Sequence, residues 1–183
     1  MKKQIVIGAM IVLTMSVLMA VAPPAGPQIY IAPADTTVFL DEPPDTFVIR
    51  VCVTGEITEL MGWDIHVRFD STIITLMDVT EGALPENSPF ETFFWWFDPG
   101  VPATTAHVNG AILGNTVDGP GVLFDLVFEK TAVGSTAVEL FDTEIRTGVN
   151  TSIPHTTNDG LVVVEKPIAV EEATWGEIKE KYR

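Results

Sequence analysis

The chain has one cysteine, Cys52, so no disulfide can form within it and the fold must stand on its hydrophobic core. Basic residues are also scarce: 10 Lys and Arg against 25 Asp and Glu, a formal net charge of -15. Phosphate recognition rests on Lys and Arg, so neither nucleic acid nor an anionic membrane surface is an expected partner. The acidity suits a soluble extracellular protein, and it equally serves solubility alone. The three histidines, His66, His107 and His155, are scattered, with no H-x-x-x-H or C-x-x-C zinc spacing. G-x-S-x-G, Walker and G-x-G-x-x-G motifs are missing. Carboxylates are plentiful, but spacing singles out no pair of the kind that glycosidase chemistry requires. Cys52, between Val51 and Val53, reads as a small semi-buried residue rather than a thiolate, with Arg50 its only basic neighbour. Internal repeats and heptads are absent too. An enzyme is therefore not expected, and neither are catalytic residues, a cofactor or a metal.

What is present begins with a secretory pattern. Lys2 and Lys3 precede an uncharged apolar run from Ile5 to Val21, and Ala20-Val21-Ala22 supplies the small residues of an A-x-A site. At 17 residues the run is at the short end of the roughly 17–25 that span a bilayer, which favours a cleaved signal peptide over 1–22. Pro23 disfavours cleavage directly after Ala22, leaving cleavage after Ala20 or Ala25, or a retained anchor, as the alternatives. Residues 23–27 read as a Pro-rich linker. Location is expected to be secreted or cell-surface, with membrane contact only through an uncleaved signal anchor.

The body of the chain, 28–166, is a succession of short extended runs separated by turn signals. Trp63, Ile65, Val67 and Phe69 alternate with Asp64, His66, Arg68 and Asp70, a period of two that buries one face and leaves the other to solvent or a partner. Phe47, Ile49, Val51 and Val53 form a second such set, and Val122, Phe124, Leu126 and Phe128 a third. Further runs lie at Ile29–Ala32, Thr36–Leu40, Ile73–Val79, Phe93–Phe97, Ala106–Leu113, Thr136–Phe141 and Gly160–Glu165. About nine strands at near-regular spacing, with no helix between them, predict an antiparallel sandwich or barrel. Asp118-Gly119 and Asn158-Asp159-Gly160 are read as turns, and Asn150-Thr151-Ser152 fits a glycosylation sequon.

Gly62 to Gly82, GWDIHVRFDSTIITLMDVTEG, resembles the signature of the cohesin family, with Phe69-Asp70 at the family's aromatic-Asp corner and Ser71-Thr72 in place of its usual proline. Val38 to Val53 is loosely similar to an earlier family segment. Gly119 to Glu129, GPGVLFDLVFE, looks like a later strand, and Asn158 to Val164 like the closing one. The resemblance implies a nine-stranded antiparallel β-sandwich of jelly-roll topology. It also implies a non-catalytic module that binds a dockerin-like domain of another secreted protein, in polysaccharide degradation or cell-surface assembly. By the same resemblance the partner face includes the outward residues Asp64, His66 and Arg68, with His107 and Asn109 as further candidates. They would offer a carboxylate, an imidazole and a guanidinium fork to a helical partner, or form only a solvated face. The paired Ca²⁺ loops of a dockerin are not present in this chain.

Phe93-Phe94-Trp95-Trp96-Phe97 supports an alternative. On a strand its two alternating sets point opposite ways, so one fills the core and the other needs a cover or a ligand. Phe94, Trp95 and Trp96 are the candidates for stacking on the sugar rings of a polysaccharide. A structural cell-surface protein is the third possibility. After Lys166, residues 167–183 read as a linker and a short helix, with Thr174 and Glu177 at capping-box spacing and Trp175, Ile178 and Tyr182 on one face.

Overall fold

A computed structural model of the chain describes residues 26–97 and 104–167. The expected signal peptide, most of the linker before Pro27 and the helical tail after Pro167 lie outside the described residues. Among those residues the fold consists of eleven strands and one short helical turn. The strands are β1 (Gln28–Ala32), β2 (Asp35–Phe39), β3 (Thr46–Val53), β4 (Leu60–Arg68), β5 (Ile74–Glu81), β6 (Thr92–Phe97), β7 (Thr105–Ile112), β8 (Gly121–Lys130), β9 (Gly134–Thr147), β10 (Thr156–Asn158) and β11 (Gly160–Glu165). The turn, α1 (Ala83–Glu86), lies in the Pro-containing segment before β6. None of the helical structure described is long and apolar enough to cross a membrane.

Two sheets face each other, β10-β1-β3-β8-β5 and β2-β11-β9-β4-β7-β6. The sandwich expectation holds at this level, but the strand count and the purely antiparallel pairing are corrected. The first extended run breaks at Pro33-Ala34, so β1 pairs in one sheet and β2 in the other. The last run breaks at Asp159 in the same way. As a result β1 runs parallel to β10 and β2 parallel to β11, and both sheets are mixed. The first two and the last two described strands thus lie side by side and switch sheets together, closing both layers at one edge. The short edge strand β10, Thr-Thr-Asn, is exposed throughout and has no alternation by which sequence could reveal it.

The alternations place the core. Trp63, Ile65, Val67 and Phe69 are all buried, as are Ile49, Val51 and Val53 from β3 and Phe124, Leu126 and Phe128 from β8. Phe128 in the five-stranded sheet meets Phe69 edge-on across the layers, ring centroids 4.9 Å apart. Phe69-Asp70 begins the corner that carries the chain from β4 in one sheet to β5 in the other. Asp70 holds that corner as an Asx turn: Thr72 donates to Asp70 Oδ1 from its backbone N–H at 2.9 Å and its hydroxyl at 2.7 Å. The Thr72 hydroxyl, and then its backbone N–H, hold the Asp70 carboxyl below its ordinary pKa.

Strand β9 extends six residues beyond the expected Thr136–Phe141, and the reason is a bulge. Asp64 pairs with Glu144 and His66 with Phe141, so Asp142 and Thr143 together oppose Ile65. The extra residue interrupts the period-two pattern, which resumes at Glu144-Ile145-Arg146. Asp142 takes a positive φ of 47° at this point.

Candidate functional site

The outer surface of β6-β7-β4-β9 is a four-strand grid whose rows are set by register. Because one side of β4 and β7 is locked into the core, the alternate residues are presented outward at fixed spacing. His107 pairs with Phe97 on one side and His66 on the other, and His66 pairs with Phe141. In the next row Trp95, Asn109, Asp64 and Glu144 stand in line. Beyond it Phe93, Ala111, Gly62 and Arg146 form a third.

Four of the five expected partner residues meet in one cluster. His107 Nε2 stands 2.7 Å from Asp64 Oδ1 and 3.0 Å from Asn109 Nδ2. The His66 and His107 rings stack at 3.9 Å with 15° between their planes. His66 Nδ1 lies 3.2 Å from the Asp142 carbonyl oxygen and 3.9 Å from Asp64 Oδ1. Arg68 stands apart. Its Nε donates to Glu139 Oε2 at 2.8 Å, and its guanidinium lies 5.1 Å from the Phe141 ring centroid. The fork is thus already occupied by a neighbouring strand, although its side chain remains more than half exposed.

Sequence reasoning missed the contribution of β9: Glu139, Phe141, Asp142, Glu144 and Arg146. Glu144 and Arg146 pair at 2.6 Å. The resumed alternation after Asp142 was the available signal, hidden by the bulge. Beside this pair the surface dips into a recess of about 520 Å³, floored by Gly62, Gly110 and Trp63 and walled by Asp64, Asn109 and Glu144. On the outward side, Gly62 and its partner Ala111 carry no side chain large enough to fill it.

The aromatic candidates are corrected in part. Phe93, Trp95 and Phe97 are the exposed set, at 54%, 46% and 52% of their surface. Phe94 and Trp96 pack against the core, so of the trio Phe94, Trp95 and Trp96 only Trp95 lies on the open face. Strand β6 is the edge of its sheet, and the exposed aromatics border the polar cluster along that edge. Trp95 meets His107 edge-on with centroids 6.3 Å apart.

Elsewhere the chemistry is quiet. Burial pushes the Cys52 thiol above its ordinary pKa, the reverse of what a nucleophile needs. His155, the third histidine, is tied to Thr143 Oγ1 at 2.8 Å and to the Ile153 carbonyl oxygen at 2.7 Å. Burial likewise raises the Asp125 carboxyl, against the lowering influence of Arg50.

The sequence matches no protein-family model and no curated protein. Solved structures do match. A non-cellulosomal cohesin from the hyperthermophilic archaeon Archaeoglobus fulgidus aligns over 81% of this chain and 96% of its own, with TM-score 0.63 and 19% identity. The seventh ScaB type I cohesin from Pseudobacteroides cellulosolvens covers 81% and 97%, with TM-score 0.63 and 13% identity. A type I cohesin–dockerin complex from Clostridium thermocellum matches over 76% and 99%, with TM-score 0.60 and 13% identity. At identities this low the likeness is one of backbone and topology, and it establishes that the chain has the cohesin fold.

Proposed function

We propose that this protein is an extracellular, non-catalytic docking module that captures a dockerin-like domain of another secreted protein through the outer face of β4 and β7. The setting is assembly of polysaccharide-degrading or other cell-surface machinery. If the two runs that switch sheets are each counted once, the described strands amount to nine extended runs, in keeping with a jelly-roll winding. The observation that carries the reading is the convergence of Asp64, His66, His107 and Asn109 on one rigid face bordered by exposed aromatics. A polar centre beside Trp and Phe, on strands whose opposite side is fully cored, combines fixed hydrogen-bonding groups with apolar area that gains from losing water. The cohesin–dockerin complexes among the structural matches supply the partner class.

Replacing Asp64, His66 and Arg68 together with alanine is expected to leave the circular dichroism spectrum unchanged, because all three are outward-facing. Loss of the exposed Arg68–Glu139 pair costs only ~0–1 kcal/mol. Affinity for the captured partner is expected to fall by about 100-fold or more, since two truncated central contacts at ~2 kcal/mol each already exceed that. Surface plasmon resonance against a panel of type I dockerins, and pull-down from the secreted fraction, would measure it. A triple variant that retrieves the same partner with wild-type affinity refutes the choice of face.

A second reading rests on the exposed Phe93, Trp95 and Phe97, with Trp95 and Phe97 at 6.1 Å between centroids. Such a strip suits stacking on successive sugar rings. Affinity electrophoresis in soluble polysaccharides would then show retardation that Trp95→Ala abolishes. Mobility unchanged by every polysaccharide tried, with unaltered Trp fluorescence, removes this reading.

A further inference from the structure

We infer that Asp64, His66 and His107 form a binding site for a borderline first-row divalent cation of the Zn²⁺ class. One ligand atom from each, a carboxylate oxygen and two imidazole nitrogens, lies within 4.8 Å of the others. Zn²⁺ holds nitrogen and oxygen ligands at about 2.0–2.2 Å, so two ligands on a tetrahedral centre stand roughly 3.4 Å apart. The separations here, 2.7 Å from Asp64 Oδ1 to His107 Nε2 and 3.9 Å from Asp64 Oδ1 to His66 Nδ1, bracket that value. The rings stack, with His66 Nδ1 facing the Asp142 carbonyl oxygen and His107 Nε2 facing Asp64 Oδ1. Rotation about each Cβ–Cγ bond, a broad and soft torsion in histidine, turns the two nitrogens toward a common point.

His107 Nε2 faces a carboxylate oxygen and the Asn109 side-chain amide at once. A cation at this point takes the Nε2 lone pair and the Asp64 carboxylate together, with the proton of each neutral ring on its other nitrogen. The bulge in β9 supplies a further anionic group: it brings Asp142 Oδ2 to 3.9 Å from His66 Nδ1. The three ligand side chains are 25–44% exposed, so an ion enters from the open face and water completes its shell. Asp64 and His107 stand 43 positions apart on strands joined by register, which is why no spacing motif announces the site.

Untagged, chelator-stripped protein titrated with Zn²⁺ by calorimetry is expected to bind one ion per chain, and Co²⁺ to develop the visible absorption of a low-coordinate site. His66→Gln and His107→Gln are each expected to weaken Zn²⁺ binding by more than about 100-fold, beyond the ~10–100-fold cost of an outer-shell loss. Asn109→Ala is expected to fall within that outer-shell range. His155→Gln leaves binding unchanged, and Ca²⁺, which prefers oxygen ligands, does not compete. Circular dichroism of each variant, together with the near-isosteric Asp64→Asn, separates ligand loss from unfolding. Two results overturn the site: no Zn²⁺ uptake by the wild-type protein at about 1 mM free ion, or a His66→Gln/His107→Gln double variant that binds as tightly as wild type. Neither result depends on whether a dockerin is captured.

Discussion

Gly110→Ala is expected to destabilise the protein by about 3 kcal/mol and lower its melting temperature by about 10 °C, the upper end of what overpacking costs. Gly110 pairs with Trp63 across β7 and β4, and its missing side chain is where the indole lies. A Cβ there would stand 1.9 Å from Trp63 Cζ2 and 2.2 Å from Cε2. The neighbour is a rigid bicyclic ring held in the core at 4% exposure, so it cannot swing aside as the end of a long chain could. The Trp63 Nε1–H is also buried without a hydrogen-bond partner among the described residues. Introducing Gly110→Ala into a Trp63→Phe background removes much of the obstruction. The double-mutant cycle is therefore expected to return a favourable coupling of about 1 kcal/mol or more. Calorimetry finding Gly110→Ala within about 2 °C of wild type would mean that the Trp63 ring does not pack here. Both residues also line the recess beside the Asp64–His107 cluster.

Phe128→Ala is expected to cost about 3–5 kcal/mol. Against a typical total of about 5–15 kcal/mol that is enough to leave the protein marginal at 37 °C. Phe128 is fully buried on β8 and touches both layers: Phe69 lies edge-on at 4.9 Å and Phe47 is stacked at 5.9 Å. Truncation removes the ring and the edge-to-face contact that ties the end of β4 to the opposite sheet. In urea the midpoint is expected to fall by about 2 M for a slope near 2 kcal/mol/M, with the slope itself unchanged. Phe128→Leu, which keeps most of the volume, should lose clearly less. Equal losses for the two variants would show that the site collapses around either side chain, and that the aromatic contact contributes nothing particular.

Much of this architecture was legible in the chain because a half-buried strand states its own orientation. The alternation in β4 named its buried residues, and Asp64, His66 and Arg68 as outward-facing. In β3 and β8 it held for Ile49, Val51, Val53, Phe124, Leu126 and Phe128. Phe47 and Val122 are only half-buried, and the bulge between the two strands leaves Cys52 and Leu123 buried as well. Legibility failed where the pattern was locally broken. The bulge at Asp142-Thr143 hid the second half of β9 and with it the Glu144–Arg146 pair. Polar β10 carried no signal. Arg68 looked free in sequence, yet it is engaged by Glu139, 71 positions away.

The amino-acid order by itself determined that the domain is all-β, which residues share a face where a strand's alternation is unbroken, and that the fold needs no disulfide. All three follow from local facts: side-chain period, turn residues and a lone cysteine. It could not decide which aromatic set of β6 turns inward, because both sets are equally apolar and either would satisfy a core. Nor could it reveal that His107 sits against Asp64 and His66. Only the register of β7 on β4, set by how two distant segments pack their buried faces, placed a carboxylate and two imidazoles at one point.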